Sequence, residues 1–258
     1  MSTHRLKPID GAGRMALADA LGDSPTTVIS THLLRRSLCK AWAVGPVTQP
    51  VAALVQPTAC PAEPTGFGSD VEALWNLLSS CGGWTCIDVP TEGSRSLGAI
   101  ITRETGRPVR YYGDVYHTLT RPVADCRDEH VRLLTVDDLA LLKPFVHNEQ
   151  GCGYRDLQTL LTEGITACAI VDGRVVAIAH TSARSDAYAD IGVRTEEPFR
   201  RRGFSSACAS LVAREIQKAG QVPTWSTGED NHASLRVAAK LGFSEIARTT
   251  YVIFEQGT

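Results

Sequence analysis

The sequence lacks an excess of charge of either sign: 26 Lys and Arg oppose 28 Asp and Glu, a formal net charge of −2. That balance excludes a whole-molecule electrostatic footprint for nucleic acid or an anionic membrane, so small or uncharged partners are expected. It also lacks a long apolar run. None approaches the roughly 18 residues that span a bilayer, and Met1-Ser2-Thr3-His4-Arg5-Leu6-Lys7 does not lead into a signal-peptide core, so a cytoplasmic location is expected. The eight cysteines (39, 60, 81, 86, 126, 152, 168 and 208) include no CxxC pair and have no His at ligand spacing. Neither a metal site nor a disulfide framework is indicated, and no His or acid is arranged to activate a thiol. A Gly-Lys-Ser/Thr loop and a GxGxxG turn are absent too, which argues against a nucleoside triphosphate or a nicotinamide dinucleotide.

What is present reads as folded protein. Hydrophobic residues make up 43% and charged residues 21% of 258, with no biased tract, a length comfortable for two domains of about 130 residues. The polar, proline-containing stretch Arg121 to Asp128 is the expected linker. Residues 1–125 and 131–258 are the two expected domains.

In the second half, Leu134, Leu139, Leu142 and Val146 recur at helical spacing, and a second short amphipathic run covers Tyr154 to Leu161. Thr166–Val171 and Arg174–Ala179 flank Asp172-Gly173, a hairpin turn signal. Tyr188–Thr195 reads as a third strand stopped by Glu196-Glu197-Pro198, and Ser205–Lys218 as a helix stopped by Gly220. A short strand at Val222–Ser226, a helix from Asn231 to Leu241, and a final strand pair, Phe243–Arg248 and Thr249–Phe254, complete a mixed α/β pattern, a sheet covered by helices.

Between the third strand and its helix lies Arg200-Arg201-Arg202-Gly203-Phe204-Ser205-Ser206. A glycine turn that opens a helix aims several unpaired N–H groups at one point, where the helix dipole favours negative charge. Gly203 lets the backbone approach a phosphate, the serines keep the first turn uncrowded, and the arginines add charge at the mouth. Read from the residues alone, the loop is either a pyrophosphate nest or a charged surface turn.

Arg200-x-x-Gly203-x-Ser205 is similar to the Gln/Arg-x-x-Gly-x-Gly/Ala loop of the GNAT N-acetyltransferases, with Ser as a departure in the last position. Asn231 to Phe243, ending Lys240-Leu241-Gly242-Phe243, resembles the second signature of that family, and the likeness covers roughly residues 131–258. The resemblance implies a GNAT acyl-CoA-binding fold. Acetyl-CoA would rest its pyrophosphate on the backbone of Arg201 to Ser206 and its pantetheine arm along Val193, Arg194 and Thr195. Asn231 and Ser234 would lie near that arm, with helix capping the alternative for both. The implied reaction is acetyl transfer to the primary amine of a small molecule, or to a protein, by direct attack. Asp190 stands where many members carry a catalytic carboxylate, and a structural carboxylate is the other reading. A backbone N–H near Val193 to Thr195 would steady the charge gathering on the thioester oxygen. The family's general acid Tyr is replaced by Ala238, leaving Ser234, Tyr251 or water, and a non-catalytic acyl-CoA sensor is the contrasting function.

The first half reads as a worn copy. Glu63-Pro64-Thr65-Gly66-Phe67-Gly68-Ser69 aligns with the arginine loop, and strands, an amphipathic helix (Val71, Leu74, Leu77, Leu78) and a second helix stopped by Gly106 follow in the same order. Glu63 occupies the arginine position, Pro64 removes a donor and Ala53 stands where Asp190 does. A degenerate GNAT-like domain without cofactor, shaping the acceptor site, is the expectation, with a coincidental Gly-x-Gly turn in an unrelated α/β domain as the other reading.

Overall fold

The computed structural model describes residues 6–145 and 153–254. Helices and strands alternate as α1 (Gly11–Leu21), α2 (Val28–Arg35), β1 (Cys39–Val44), β2 (Ala52–Pro57), β3 (Thr65–Gly68), α3 (Val71–Ser80), β4 (Cys86–Pro90), α4 (Thr91–Thr105) and β5 (Val109–Thr118). Then come β6 (Val131–Leu133), α5 (Leu139–Leu142), α6 (Leu157–Glu163), β7 (Thr166–Val171), β8 (Arg174–Arg184), β9 (Tyr188–Thr195), α7 (Phe204–Lys218), β10 (Val222–Gly228), α8 (His232–Leu241) and β11 (Ser244–Phe254). The fold is mixed α/β, as the pattern predicts. The chain packs as two compact units: one holds the residues up to Gly22, Ser30–Val115 and those from Arg248 onward, the other Asp23–Ile29 and Tyr116–Ala247.

In the first unit, β1 and β2 pair antiparallel, as do β2 and β3, whereas β3 runs parallel to β4 at Thr65 and Asp88. From Arg248 onward β11 lies antiparallel against β4, with Tyr251 opposite Asp88. Leu74, Leu77 and Leu78 of α3 and Leu97 and Ile101 of α4 close over Trp42, Leu54 and Ile87 to make its core. Asp70 caps α3 by accepting from Ala73 N–H at 2.9 Å.

The second unit repeats that order. β6, β7, β8 and β9 pair antiparallel, and β9 runs parallel to β10 with α7 between them in sequence. Asp172 (φ 50°) and Gly173 (φ 74°) turn β7 into β8 with both central residues at positive φ, as the Asp-Gly signal requires. Ala207, Cys208, Val212, Ala213 and Ile216 of the long helix bury against Ala167, Ala177, Ala179 and Ile191. Small residues on the strands let that helix approach closely. The opposite face of the same strands, through Cys168 and Ile178, packs on Leu142 of α5 and Leu157, Leu160 and Leu161 of α6.

Three local expectations differ. Leu133–Val146 is not one helix: Leu133 ends β6, a Thr135–Asp138 capping box opens a single turn, and α5 is four residues long, while Val146 lies outside the described residues. Phe243–Arg248 and Thr249–Phe254 form one strand, because nothing at Arg248-Thr249 supplies a turn and β-branched Thr249 and Thr250 continue it. Gly66 and Gly68 sit within β3, not in a loop before α3. A Cβ at Gly66 would meet Leu74 at 2.9 Å and one at Gly68 the Val51 carbonyl oxygen at 2.3 Å, so these glycines serve close packing.

Candidate functional site

β9 and β10 part company at the point where a site can form. Their parallel register runs through Val222–Tyr188, Pro223–Ala189 and Thr224–Asp190 and stops there, although β9 continues to Thr195 and β10 to Gly228. Beyond Asp190, the edge of β9 facing β10 carries main-chain groups outside any ladder, while its other edge remains paired through Val193–Ala179 and Thr195–Ala177. Such free strand groups seek partners.

The loop after β9 turns through a short 3₁₀ segment, Glu197–Phe199, and then places Arg201 at φ 63° and Gly203 at φ 92°. No side chain caps the α7 terminus at Gly203; the first helical bond is Ala207 N–H to the Gly203 carbonyl at 3.0 Å. The N–H groups of Phe204, Ser205 and Ser206 are therefore left for a ligand. A Cβ built on Gly203 meets nothing within 4 Å, so the approach is open. Thr195 Oγ1 and Ser205 Oγ lie 2.6 Å apart and tie the end of β9 to the first turn of α7.

A cavity of about 660 Å³ opens on this terminus, lined by Val193, Arg194, Thr195, Phe199, Arg200, Arg201, Gly203 to Ser206, and Asn231, Ala233, Ser234, Arg236, Val237 and Lys240 of α8 and its cap. Five of these residues are cationic and none is acidic. Arg202 does not line the cavity; its guanidinium lies 5.1 Å from the Phe199 ring centre. Arg200 Nε donates to the Thr195 carbonyl at 3.4 Å. An uncapped helix start, open backbone and unopposed cations fit the phosphate groups of acyl-CoA.

Asn231 caps α8, accepting from Ser234 N–H at 3.2 Å, and Ser234 Oγ accepts from the Trp225 indole N–H at 2.9 Å, so both have structural work while lining the cavity. Ala238 is fully buried and offers no proton. Tyr251 belongs to the first unit, where burial chiefly, with Asp88 and Asp114 nearby, pushes its phenol up. Asp190 sits at the last paired position, the root of the cleft, 6% exposed. Its Oδ2 accepts from Ser182 and its Oδ1 from Thr224 at 3.2 Å. Burial raises its pKa to about 6 against the opposing pull of those two hydroxyls.

Sequence reasoning missed Phe199, Ala233, Arg236, Val237 and Lys240. The last four share one face of α8 at helical spacing, a signal that was available. In the first unit, a cavity of about 420 Å³ borders Gly68, Ser69, Pro90, Glu92, Gly93 and Ser96 and contains no Lys or Arg. Burial pushes the Cys39, Cys86 and Cys208 thiols up to about 12 and raises Cys168 as well, which leaves them unreactive; Cys152 lies outside the described residues.

The family model for GNAT acetyltransferase matches residues 129–254. A search of the curated proteins finds no match. Among solved structures, the chain is similar to a GCN5-related N-acetyltransferase-like protein from Streptococcus suis, at 21% identity over 95% of this chain and 100% of that one, TM-score 0.68. It is also similar to a putative GNAT-family acetyltransferase from Novosphingobium aromaticivorans, at 20% identity over 92% and 100%, TM-score 0.60. A tandem GNAT protein from the clavulanic acid biosynthesis pathway aligns at 14% identity over 98% of each chain, TM-score 0.57. At such identities the likeness is one of fold. The family match makes residues 129–254 a member of the GNAT superfamily, and the likeness of fold extends over the rest of the chain.

Proposed function

We propose that the protein is a cytoplasmic N-acetyltransferase that moves an acetyl group from acetyl-CoA to a primary amine by direct attack. The uncapped start of α7, facing a cationic cavity beside the split between β9 and β10, carries this reading. Acetyl-CoA supplies the activated thioester. The backbone of Arg201 to Ser206 holds pyrophosphate, Arg200, Arg236 and Lys240 neutralise phosphate charge, and the free edge of Val193 to Thr195 steadies the arm and the reacting carbonyl.

Asp190 is the proton acceptor in this reading. With a pKa near 6 it is mostly ionised at pH 7, and deprotonating an ammonium of pKa about 10.4 there otherwise costs about 4 to 5 kcal/mol. Ser234 lines the cavity and can donate a hydrogen bond from its hydroxyl to the departing thiolate while it accepts from Trp225. Burial keeps the Cys39, Cys86, Cys168 and Cys208 thiols protonated, which disfavours an acyl-cysteine route through them, and free cysteines suit a reducing cytoplasm. The first unit, with no Lys or Arg and with Glu92 in its cavity, serves as a GNAT-like half that holds no acyl-CoA; residues 1–125 supply it in this reading.

Calorimetry with acetyl-CoA, followed by thiol release with an amine panel, tests the proposal. Tight binding and amine-dependent release are expected, and pyrophosphate located away from Gly203 would refute it. The buried Ala238 favours one rival, a non-catalytic acyl-CoA sensor, which predicts binding without release for every amine.

A further inference from the structure

A group of buried polar atoms in the second unit has no use in holding acyl-CoA. On the face of β7, β8 and β9 that packs against α5 and α6, one row across the strands reads Thr166, His180, Gly192. Thr166 is buried and His180 half-buried; Thr166 Oγ1 and both ring nitrogens of His180 are shielded from solvent and have no hydrogen-bond partner among the described residues. Native structures pair more than about nine in ten such atoms, so three orphans in one row point to a missing ligand.

Gly192 lets the His180 ring lie close against β9. A Cβ there would stand 2.9 Å from His180 Cε1, so any side chain would displace the ring. The row adjoins Val193, the first β9 residue of the cofactor cavity. Two residues to either side on the same face of β9 stand Asp190 and Arg194. Arg194 donates to the Phe145 carbonyl at 3.2 Å and lies 5.0 Å from that ring's centre. The α6 residues packed on this face are leucines.

Burial holds the imidazole neutral, with a pKa near 4. An ammonium lies about six pH units above that, too far for His180 to act as its base, so binding is the chemistry left to it. A neutral imidazole and a hydroxyl each offer one donor and an acceptor. A hydroxyl or amide answers both; a carboxylate only accepts, and a second ammonium only donates.

We propose that the unpartnered His180 ring, seated over Gly192, and Thr166 form the acceptor subsite of the transfer put forward above, holding an uncharged hydroxyl or amide carried by a primary monoamine. The subsite rests on that reading, and its test reads both separately. Thiol release is measured for wild type, His180→Leu and Gly192→Ala with ethanolamine, glucosamine, glycinamide, propylamine, glycine and putrescine. Ethanolamine, glucosamine or glycinamide is expected to outperform propylamine, glycine and putrescine. His180→Leu should raise the KM of the preferred amine about 10-fold, as loss of a good hydrogen bond does, while the acetyl-CoA Kd holds and Tm stays or rises. Gly192→Ala should give the same KM loss by moving the ring, and His180→Gln should recover part of it.

NMR of the His180 ring, assigned by its loss in His180→Leu, reads amine binding without turnover in CoA-loaded protein. A resonance that shifts with the preferred amine supports the subsite. A resonance unmoved by all six amines, or an unchanged KM in a stabilised His180→Leu, overturns it and marks the imidazole as structural. Wild type that does not bind acetyl-CoA defeats the transferase reading instead, and the His180 resonance still decides whether amines occupy the row.

Discussion

Replacing Asp190 with Asn isolates what it costs to keep a carboxylate at the root of the β9–β10 cleft. Burial raises its pKa from 3.8 to about 6 in the folded protein. Two units correspond to about 3 kcal/mol between the two protonation states, and at 6% exposure solvent screening does little to reduce it. Because the folded value is the higher one, the fold favours the protonated acid. The contribution is complete below pH 3.8, shrinks as pH rises and is lost above about 6. Asn carries no such charge. Urea unfolding at about pH 4 and pH 8 should therefore show the wild type losing about 2 to 2.5 kcal/mol relative to Asp190→Asn. A difference constant within about 0.5 kcal/mol would refute the buried, ionisable placement of this residue. Thiol release on the same variant addresses its chemistry. If Asp190 accepts the amine proton, kcat should fall by at least about 100-fold with the acetyl-CoA Kd unchanged, and the acidic limb near pH 6 should vanish.

Gly203→Ala adds a Cβ that touches nothing but places alanine at φ 92°. It should cost about 1 to 2 kcal/mol of stability and raise the acetyl-CoA Kd about 10-fold as the loop amides turn away. Gly68→Ala, with its Cβ 2.3 Å from the Val51 carbonyl oxygen, should cost about 3 kcal/mol or more in a thermal scan and leave that Kd alone. Arg236→Ala with Lys240→Ala, one turn apart on α8, should weaken acetyl-CoA binding about 10-fold and flatten its salt dependence in calorimetry at low and high ionic strength.

Much of the second unit was legible because its signals are local. Asp172-Gly173 turns the hairpin, Gly203 opens α7, Asn231 caps α8 and Gly242 ends it at φ 96°, all chemistry of one or two residues. What was not legible depends on partners far away in sequence. Asp190 reads as a strand carboxylate; that it stands at the last paired position of two diverging strands follows only once β10 lies beside β9. His180 carries no sequence signal at all, since its oddity is an absence of partners among the described residues. Gly66 misled for the same reason: the Gly-Phe-small pattern resembles a turn, but Leu74 and Ile87 press on it within a sheet.

β11 changes units along its length, and that has a consequence for how the protein is made. Thr250 and Thr91, 159 residues apart, share a hydroxyl hydrogen bond at 3.1 Å, and Thr249 to Ile253 complete the ladder on β4. Domains emerging from a ribosome ordinarily fold in the order of synthesis. Here the first unit leaves the tunnel with Cys86–Pro90 still waiting for a neighbour, and it must hold that open edge until the whole second unit has been translated. The half made first is the half that finishes folding last.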